Sequence, residues 1–484
     1  MKKPVSIVWF LQDLRLQDNP ALDAAIGQGG PIVPVYIWSP HEEDEGGPGA
    51  AARWWLHHAL ASLDKSLRKM NSHLVMRRGP ILEVLRRLIT EAEAGFVFWN
   101  RRYEPMVSNR DKMIASKLLK DGIGIQITNG SLLHDPESIM TKAGGPYKVF
   151  TPFWRRCISL GDPAEPLLAP KMIPEPPYWP GSESLEGLEL LPKVDWDGGI
   201  RRTWEPGEKG AARKLDRFLD EAILDYEHQR DRPDLQGTSH LSPYLHHGEI
   251  SPRQVWQEVM AHEQTQGKPG LTTGVEAFLR QLYWREFAYH LLYHYPHTAH
   301  EELRTDFKRF AWVKNTKALK AWRKGRTGYP IVDAAMRELW CTGWMHNRMR
   351  MVAASFLTKD LLIDWREGAR WFRDTLVDAD LANNTFGWQW TAGCGADAAP
   401  FFRIFNPVMQ GEKFDPEGVY VRRWVPELGR LPNQFIHKPW DAPDDIMQTA
   451  GVSLGKTYSR RIVDHKTAKY RALDVYQGIK KTPT

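Results

Sequence analysis

Residues 1–131 alternate short, almost unbroken apolar runs with stretches of helical periodicity, and this alternation narrows the fold more than any other feature of the chain. Val5–Phe10, Ile32–Trp38 and residues 73–76, 95–99 and 123–128 read as strands. Runs this uniformly apolar belong to strands covered on both faces, as in parallel sheets. Residues 51–70, 80–93 and 108–121 read as the helices between them. Strand–helix–strand order predicts an α/β domain with a doubly wound, Rossmann-like parallel sheet of five strands. The turn after the first strand is Phe10-Leu11-Gln12-Asp13-Leu14-Arg15. It contains no Gly-x-Gly-x-x-Gly, so the ordinary dinucleotide fingerprint is absent.

Residues 163–206 are rich in Pro and Gly, show little periodicity and read as an irregular connector. Beyond them the strand pattern disappears. Helical periodicity covers 207–225, 251–265, 274–294, 316–324, 329–342 and 344–359. The expected division is an α/β domain (1–131), a connector (132–206) and an all-α domain (207–484). With 42% hydrophobic and 26% charged residues the chain reads as an ordinary soluble globular protein. A net charge of +6 favours a polyanionic partner only mildly, although basic residues gather at Arg201-Arg202, within 308–326 and at Arg422-Arg423. Cys157, Cys341 and Cys394 are isolated, lack metal-ligand spacing and fit a reduced cytoplasmic compartment. The apolar run after Met1-Lys2-Lys3 is shorter than a secretion signal, and no stretch approaches the length of a membrane span.

Four stretches of the helical half carry chemistry. Gly237-Thr238-Ser239-His240-Leu241-Ser242 gathers hydroxyls and backbone N–H groups ahead of a helix pattern, which suits a phosphate cradle or an ordinary N-cap. Within 278–287, Gln281 and Arg285 stand four apart on one helical face beside Trp284. Within 344–351, helical spacing sets Trp344, Arg348 and Met351 on one face, with Asn347 and Arg350 beside it. A stripe that mixes Met with Arg and Asn suits a ligand-facing wall, whereas His346 reads as structural. Residues 378–390 crowd Asp378, Asp380, Asn384, Trp388 and Trp390 together. No third hard ligand accompanies the two carboxylates, so no metal is expected. Carboxylates there suit hydrogen bonds from an N–H-bearing heterocycle or a sugar. The chain has 21 tryptophans, Trp312 and Trp365 among them. Each needs a buried ring and a partner for its N–H, a demand that argues for use beyond core filling.

These stretches resemble the photolyase/cryptochrome flavoproteins over nearly the full length. Further matches are Trp9-Phe10, Asp13-Leu14-Arg15, residues 18–22, 145–153 and 327–334, and Phe402-Arg403-Ile404-Phe405-Asn406-Pro407. The resemblance implies FAD held bent in the helical domain. Tyr226, Thr238, Ser239, Leu241 and Ser242 would hold its phosphates and ribityl chain. Phe278, Arg285, Asn347, Arg350, Asp378, Asp380 and Asn384 would surround its rings and sugar, with Asn384 facing flavin N5. Trp388, Trp365 and Trp312 fall on the family's electron-transfer chain. Trp284 and Trp390 match the two indoles that cradle a flipped-out DNA lesion, and Arg230, Gln281, Asn347, Arg348 and Met351 match other lesion contacts. An antenna chromophore of folate or deazaflavin type is also implied. Its identity stays open, because residues 105–108 lack the polar pair of the folate binders.

The resemblance is strongest to bacterial photolyases that split cyclobutane pyrimidine dimers. A cytoplasmic monomer acting on UV-damaged DNA, without metal or membrane, is the expectation. The alternative is a cryptochrome photoreceptor. Both lesion-cradling indoles, an amide at Asn384 where plant cryptochromes carry Asp, and the short segment after the helical domain argue against it; the acidic run and Arg53-Trp54-Trp55 resemble plant-type members. A (6-4) photolyase resembles a His-His pair with a further His one turn on, where this chain has His346-Asn347 and Met351. Gln281 departs from the Glu usual in dimer photolyases, and Leu11 replaces a usual Arg.

Overall fold

The computed structural model describes residues 3–43, 47–265, 267 and 270–480; Met1, Lys2 and the Asp44 and Glu45 of the acidic run lie outside these. Strands β1 (Val5–Phe10), β2 (Ile32–Trp38), β3 (Val75–Arg78), β4 (Ala94–Asn100) and β5 (Gly124–Thr128) form one parallel sheet in the order β3-β2-β1-β4-β5. Its centre is buried along the whole length of β1 and β2, which is why those runs are apolar at every position. Helices α1 (Pro20–Gln28), α2 (Ala50–Arg68), α3 (Ile81–Ala92) and α4 (Pro105–Lys120) supply the crossovers.

Helix α1 escaped the periodicity reading because it is only nine residues long. Its punctuation was nevertheless present: Asn19 accepts from the Leu22 N–H at 3.2 Å, Pro20 stands at the first position, and Gly29 closes the helix at φ 76°. Strand β3 runs two residues later than expected, and His73 instead packs its ring on Trp179 at 3.8 Å.

The turn after β1, where a dinucleotide fold leaves room for phosphate, is filled by side chains. The Asp13 carboxylate accepts from the Leu11 N–H at 2.6 Å. Arg15, fully buried, donates to the carbonyls of Asp18, Gly130 and Gly248, the last at 2.9 Å in the helical half. The missing glycines therefore mark an interdomain tie.

The connector holds the helices Phe150–Ile158 and Gly198–Thr203 within otherwise irregular chain. One apolar core continues from the sheet into the helical half through Trp54, Trp55, Trp204, Tyr244 and Phe287; a second, around Trp322, Phe356, Trp365 and Trp388, is wholly helical. The helix expected over 344–359 starts only at Asn347, because the His346 Nδ1 caps it by accepting from the Arg348 N–H, and it ends in a wide turn at Phe356–Asp360.

A further tie carries a pH signature. Glu286, in the helix Thr273–His294, accepts from the N–H groups of Leu133 and His134 at 3.0 and 3.2 Å, while its Oε1 has no hydrogen bond and lies 3.5 Å from the Arg285 guanidinium. Burial raises this carboxyl to about 7, against the opposing pull of Arg285 and the two N–H groups. An acid raised on folding stabilises the fold fully below its unfolded value and loses that contribution as pH climbs to its folded one. Between about pH 4.5 and 7, this group should withdraw about 3 kcal/mol of stability. Glu286→Gln should flatten that part of the pH dependence. Denaturation at both ends of the range tests this, and equal slopes in the two proteins would remove Glu286 from the account.

Candidate active site

The helix Leu381–Ala392 organises the site. Asp380 caps it, accepting from the Asn383 N–H at 2.7 Å and the Asn383 amide at 2.8 Å. The Tyr289 hydroxyl donates to the other Asp380 oxygen, and the His246 Nδ1 lies 3.9 Å from it. Burial alone would raise this carboxyl; the neighbouring His246 and Arg285 and the Tyr289 bond hold it well below the usual carboxylate range. Asp380 is thus a fixed anion.

Asp378, two residues earlier, accepts from Arg350 Nη2 at 2.7 Å through one oxygen. Its other oxygen is buried and has no protein partner. The Arg350 Nε is fixed in turn by the Met345 carbonyl at 2.8 Å. Asn384 donates its amide to the Ala369 carbonyl at 3.0 Å, and among the described residues no donor reaches its Oδ1.

A second group gathers on the helix Thr273–His294. The Gln281 Oε1 accepts from Arg230 at 3.4 Å, and its amide donates to the Ala277 carbonyl. Arg230 also lies over the Tyr226 ring, which packs edge-on against Phe278 at 5.4 Å. The Phe278 ring is buried between Tyr226 and Phe218. Trp284 is half-buried, stacked on Phe150 of the connector at 3.6 Å and 8°, with Phe386 at 5.8 Å. Trp390, half-buried, follows Phe386 by one helical turn on the helix Leu381–Ala392. Arg285 leaves the group: it donates to the Ser131 carbonyl at 2.8 Å and covers the Tyr289 ring at 4.9 Å.

The expected face of Trp344, Arg348 and Met351 is corrected. Trp344 precedes the helix and packs at 4.3 Å from the His240 ring, donating to the Ser242 hydroxyl at 3.2 Å. Asn347 is exposed, Met351 half-buried, and Arg348 pairs with Asp231 at 2.5 Å. Burial, aided by Arg348, Arg350 and Arg230 against the pull of Asp231, brings His346 down to about 4, so it is neutral at ordinary pH. In the 237–242 stretch Thr238 and Ser239 are half-buried, Leu241 is buried and Ser242 is exposed. His240 holds a φ of 54°, an unfavourable conformation of the kind retained at ligand-binding turns.

The three expected relay tryptophans sit in different surroundings. Trp388 is buried with an unpartnered N–H, next to Phe372 at 4.9 Å and Trp322 at 6.1 Å. Trp365 is buried and donates to Glu302 at 3.4 Å; Trp312 is partly exposed and packs on Phe310 at 4.3 Å. Sequence reading missed Gln389, which is fully satisfied by Leu303, Thr298 and Glu301 and anchors the organising helix. It also missed Tyr289, whose only signal was its place one turn after Arg285.

A model of the FAD binding domain of DNA photolyase matches residues 278–478, and a model of DNA photolyase matches residues 6–172. A deoxyribodipyrimidine photo-lyase of Agrobacterium fabrum is 50% identical over 483 residues, covering 100% of this chain and 99% of that protein. The chain belongs to the DNA photolyase family. Cryptochrome-1 of Arabidopsis thaliana is 40% identical, covering 96% of this chain and 69% of its own length. The crystal structure of a bacterial class III photolyase from Agrobacterium tumefaciens superposes with a TM-score of 0.95 at 50% identity, covering 100% of this chain and 99% of that one. As in the photolyase family, the cofactor is FAD. The donor set fits it: the orphaned Asp378 oxygen and the open Asn384 oxygen are acceptors for ring or sugar donors, and Asp380 is an anion held in place. No described helix is long and apolar enough to cross a membrane.

Proposed function

We propose that this photolyase-family protein is a light-driven enzyme that splits cyclobutane pyrimidine dimers in UV-damaged DNA. In this reading the division is 1–131, 132–206 and 207–484, with FAD in the last part, and the enzyme is a cytoplasmic monomer without metal. Bound, reduced FAD supplies one electron under light to the lesion and recovers it after the ring opens. The protein's part is binding, orientation and electrostatics. Trp284, braced by Phe150, and Trp390 offer faces for the flipped dimer, worth about 1–3 kcal/mol per stacked base. Arg230 and Gln281 present a hydrogen-bonded polar edge, and exposed Asn347 is a further proposed lesion contact. Asp378 and Asp380 accept from cofactor N–H or hydroxyl groups, while Thr238, Ser239 and Ser242 face its phosphates.

The observation that carries this reading is a braced, half-buried indole on the same helix as the Arg230-bound Gln281, in a helical half that also holds an orphaned carboxylate oxygen at Asp378. The neutral His346, used as a helix cap, supports dimer repair over (6-4) chemistry, which would call on a histidine proton.

Repair of a defined thymine-dimer oligonucleotide under blue light, with a (6-4) lesion in parallel, tests the proposal. Dimer repair is the expected result. Absence of repair with the cofactor fully reduced would favour the cryptochrome reading, and repair of the (6-4) lesion alone would overturn the dimer assignment. Gln281→Glu places a carboxyl opposite Arg230. It should raise repair per absorbed photon and leave DNA affinity similar or slightly lower, because phosphate contacts and stacking dominate binding. A lower quantum yield would show that the amide is the better partner for the lesion.

A further inference from the structure

A cavity of about 290 Å³ lies where the α/β half meets the helical half. Gln12, Glu43 and Glu104 line one side and the helices Trp365–Thr375 and Leu381–Ala392 the other. Exposed His300 and Arg370 mark its rim, and Asn384 and His246 lie on its inner wall. At roughly 30 Å³ of liquid per molecule, a space of this size, with charged side chains among its lining, has room for several waters.

The arginines on its walls already have partners. Arg102 pairs with Glu43 and Glu104, Arg366 with Glu302 and Asp364, and Arg370 with Glu367. Arg373 donates to the Gly47 carbonyl. Little uncompensated positive charge is left to recruit an anion. His246 differs. It is 8% exposed and its Nδ1 has no hydrogen-bond partner. Around it stand the Asp380 carboxylate, held by Tyr289, the His247 ring at 4.6 Å, and Glu104, Arg102 and Arg373 across the cavity.

Light-driven reduction of the cofactor requires a proton as well as an electron. Asn384 cannot give one, because an amide hydrogen-bonds without releasing a proton at ordinary pH. We infer that His246 delivers this proton and that the interdomain cavity is the path by which solvent restores it. The inference rests on the reading that FAD lies against Asn384. One electron leaves the Trp388 indole for the cofactor ring, and one proton leaves the His246 imidazolium for the same ring. A thiol or similar one-electron reductant in solution refills the indole, and bulk water reprotonates the imidazole through the cavity.

Flavin absorbance counts bound FAD first; a protein that takes up none overturns the cofactor reading and is recognised before the proton step is measured. Flash photolysis of the FAD-loaded wild type then separates electron arrival from proton uptake. Proton uptake should slow in D2O. His246→Gln should slow uptake roughly 10²-fold while electron arrival keeps its rate, and free imidazole should restore part of the rate to His246→Ala. Unchanged uptake in His246→Gln would overturn the inference, as would the absence of any imidazole rescue of His246→Ala. Either variant that loads FAD decides the question by itself.

Discussion

Trp388→Phe should abolish most blue-light reduction of oxidised FAD while chemically reduced enzyme still repairs DNA. Trp388 is 2% exposed, its N–H has no partner, and it stands on the same helix as Asn384, one turn further on. In the proposed function it would feed electrons to the cofactor, whereas the lesion would receive them from it. Phenylalanine is much harder to oxidise than indole. A drop of roughly 10²-fold or more requires only ~2.7 kcal/mol of added barrier. The indole packs tightly on Gly368, where any Cβ would overlap its ring, so the smaller phenyl leaves a void costing about 1–3 kcal/mol. The fold should tolerate this. Flavin bleaching under blue light with an external reductant measures the effect; an unchanged rate would take Trp388 out of the relay and direct attention to other routes.

Asp378→Ala should strip the protein of FAD. The Asp378 side chain is 2% exposed; one oxygen pairs with Arg350 and the other is buried without a protein partner. Truncation removes the acceptor proposed for the cofactor and leaves a partly buried guanidinium with a lost ion pair. Removing one member of such a pair costs about 2–5 kcal/mol, so FAD affinity should fall by roughly two to three orders of magnitude. Asp378→Asn keeps the shape and one acceptor and should lose less. Flavin absorbance per polypeptide after dialysis, compared with the thermal melt of each apoprotein, separates cofactor loss from unfolding. Stoichiometric FAD in Asp378→Ala, with a normal melt, would mean that the orphaned oxygen faces something else.

Several of the proposed site residues drew notice in the sequence because each stood inside a long motif of unusual composition. Asp378, Asp380 and Asn384 share one short stretch with two indoles, and the structure places all three near the start of one helix, with Asp380 as its cap. Gln281 and Arg285, also four apart, share their helix as expected, yet one meets Arg230 and the other crosses to Ser131. Trp344 was misplaced because helical spacing was extended back through a cap: His346 caps the helix that starts at Asn347, so residues before it obey no 3.6-residue period.

What the sequence determined by itself was the one-dimensional pattern of burial. Continuous apolar runs demanded strands covered on both faces, their alternation with helical periods demanded parallel crossovers, and the loss of strands after the connector demanded a helical second half. Periodicity reports only which face of an element is dry. Which polar atoms meet was decided by the tertiary structure, since Tyr289 and Asp380 are 91 residues apart and Gln389 reaches back 91 residues to Thr298. The same holds for the cavity between the two halves and for the idle nitrogen of His246, which exist only because two surfaces with separate sequence patterns pack together without filling the space between them.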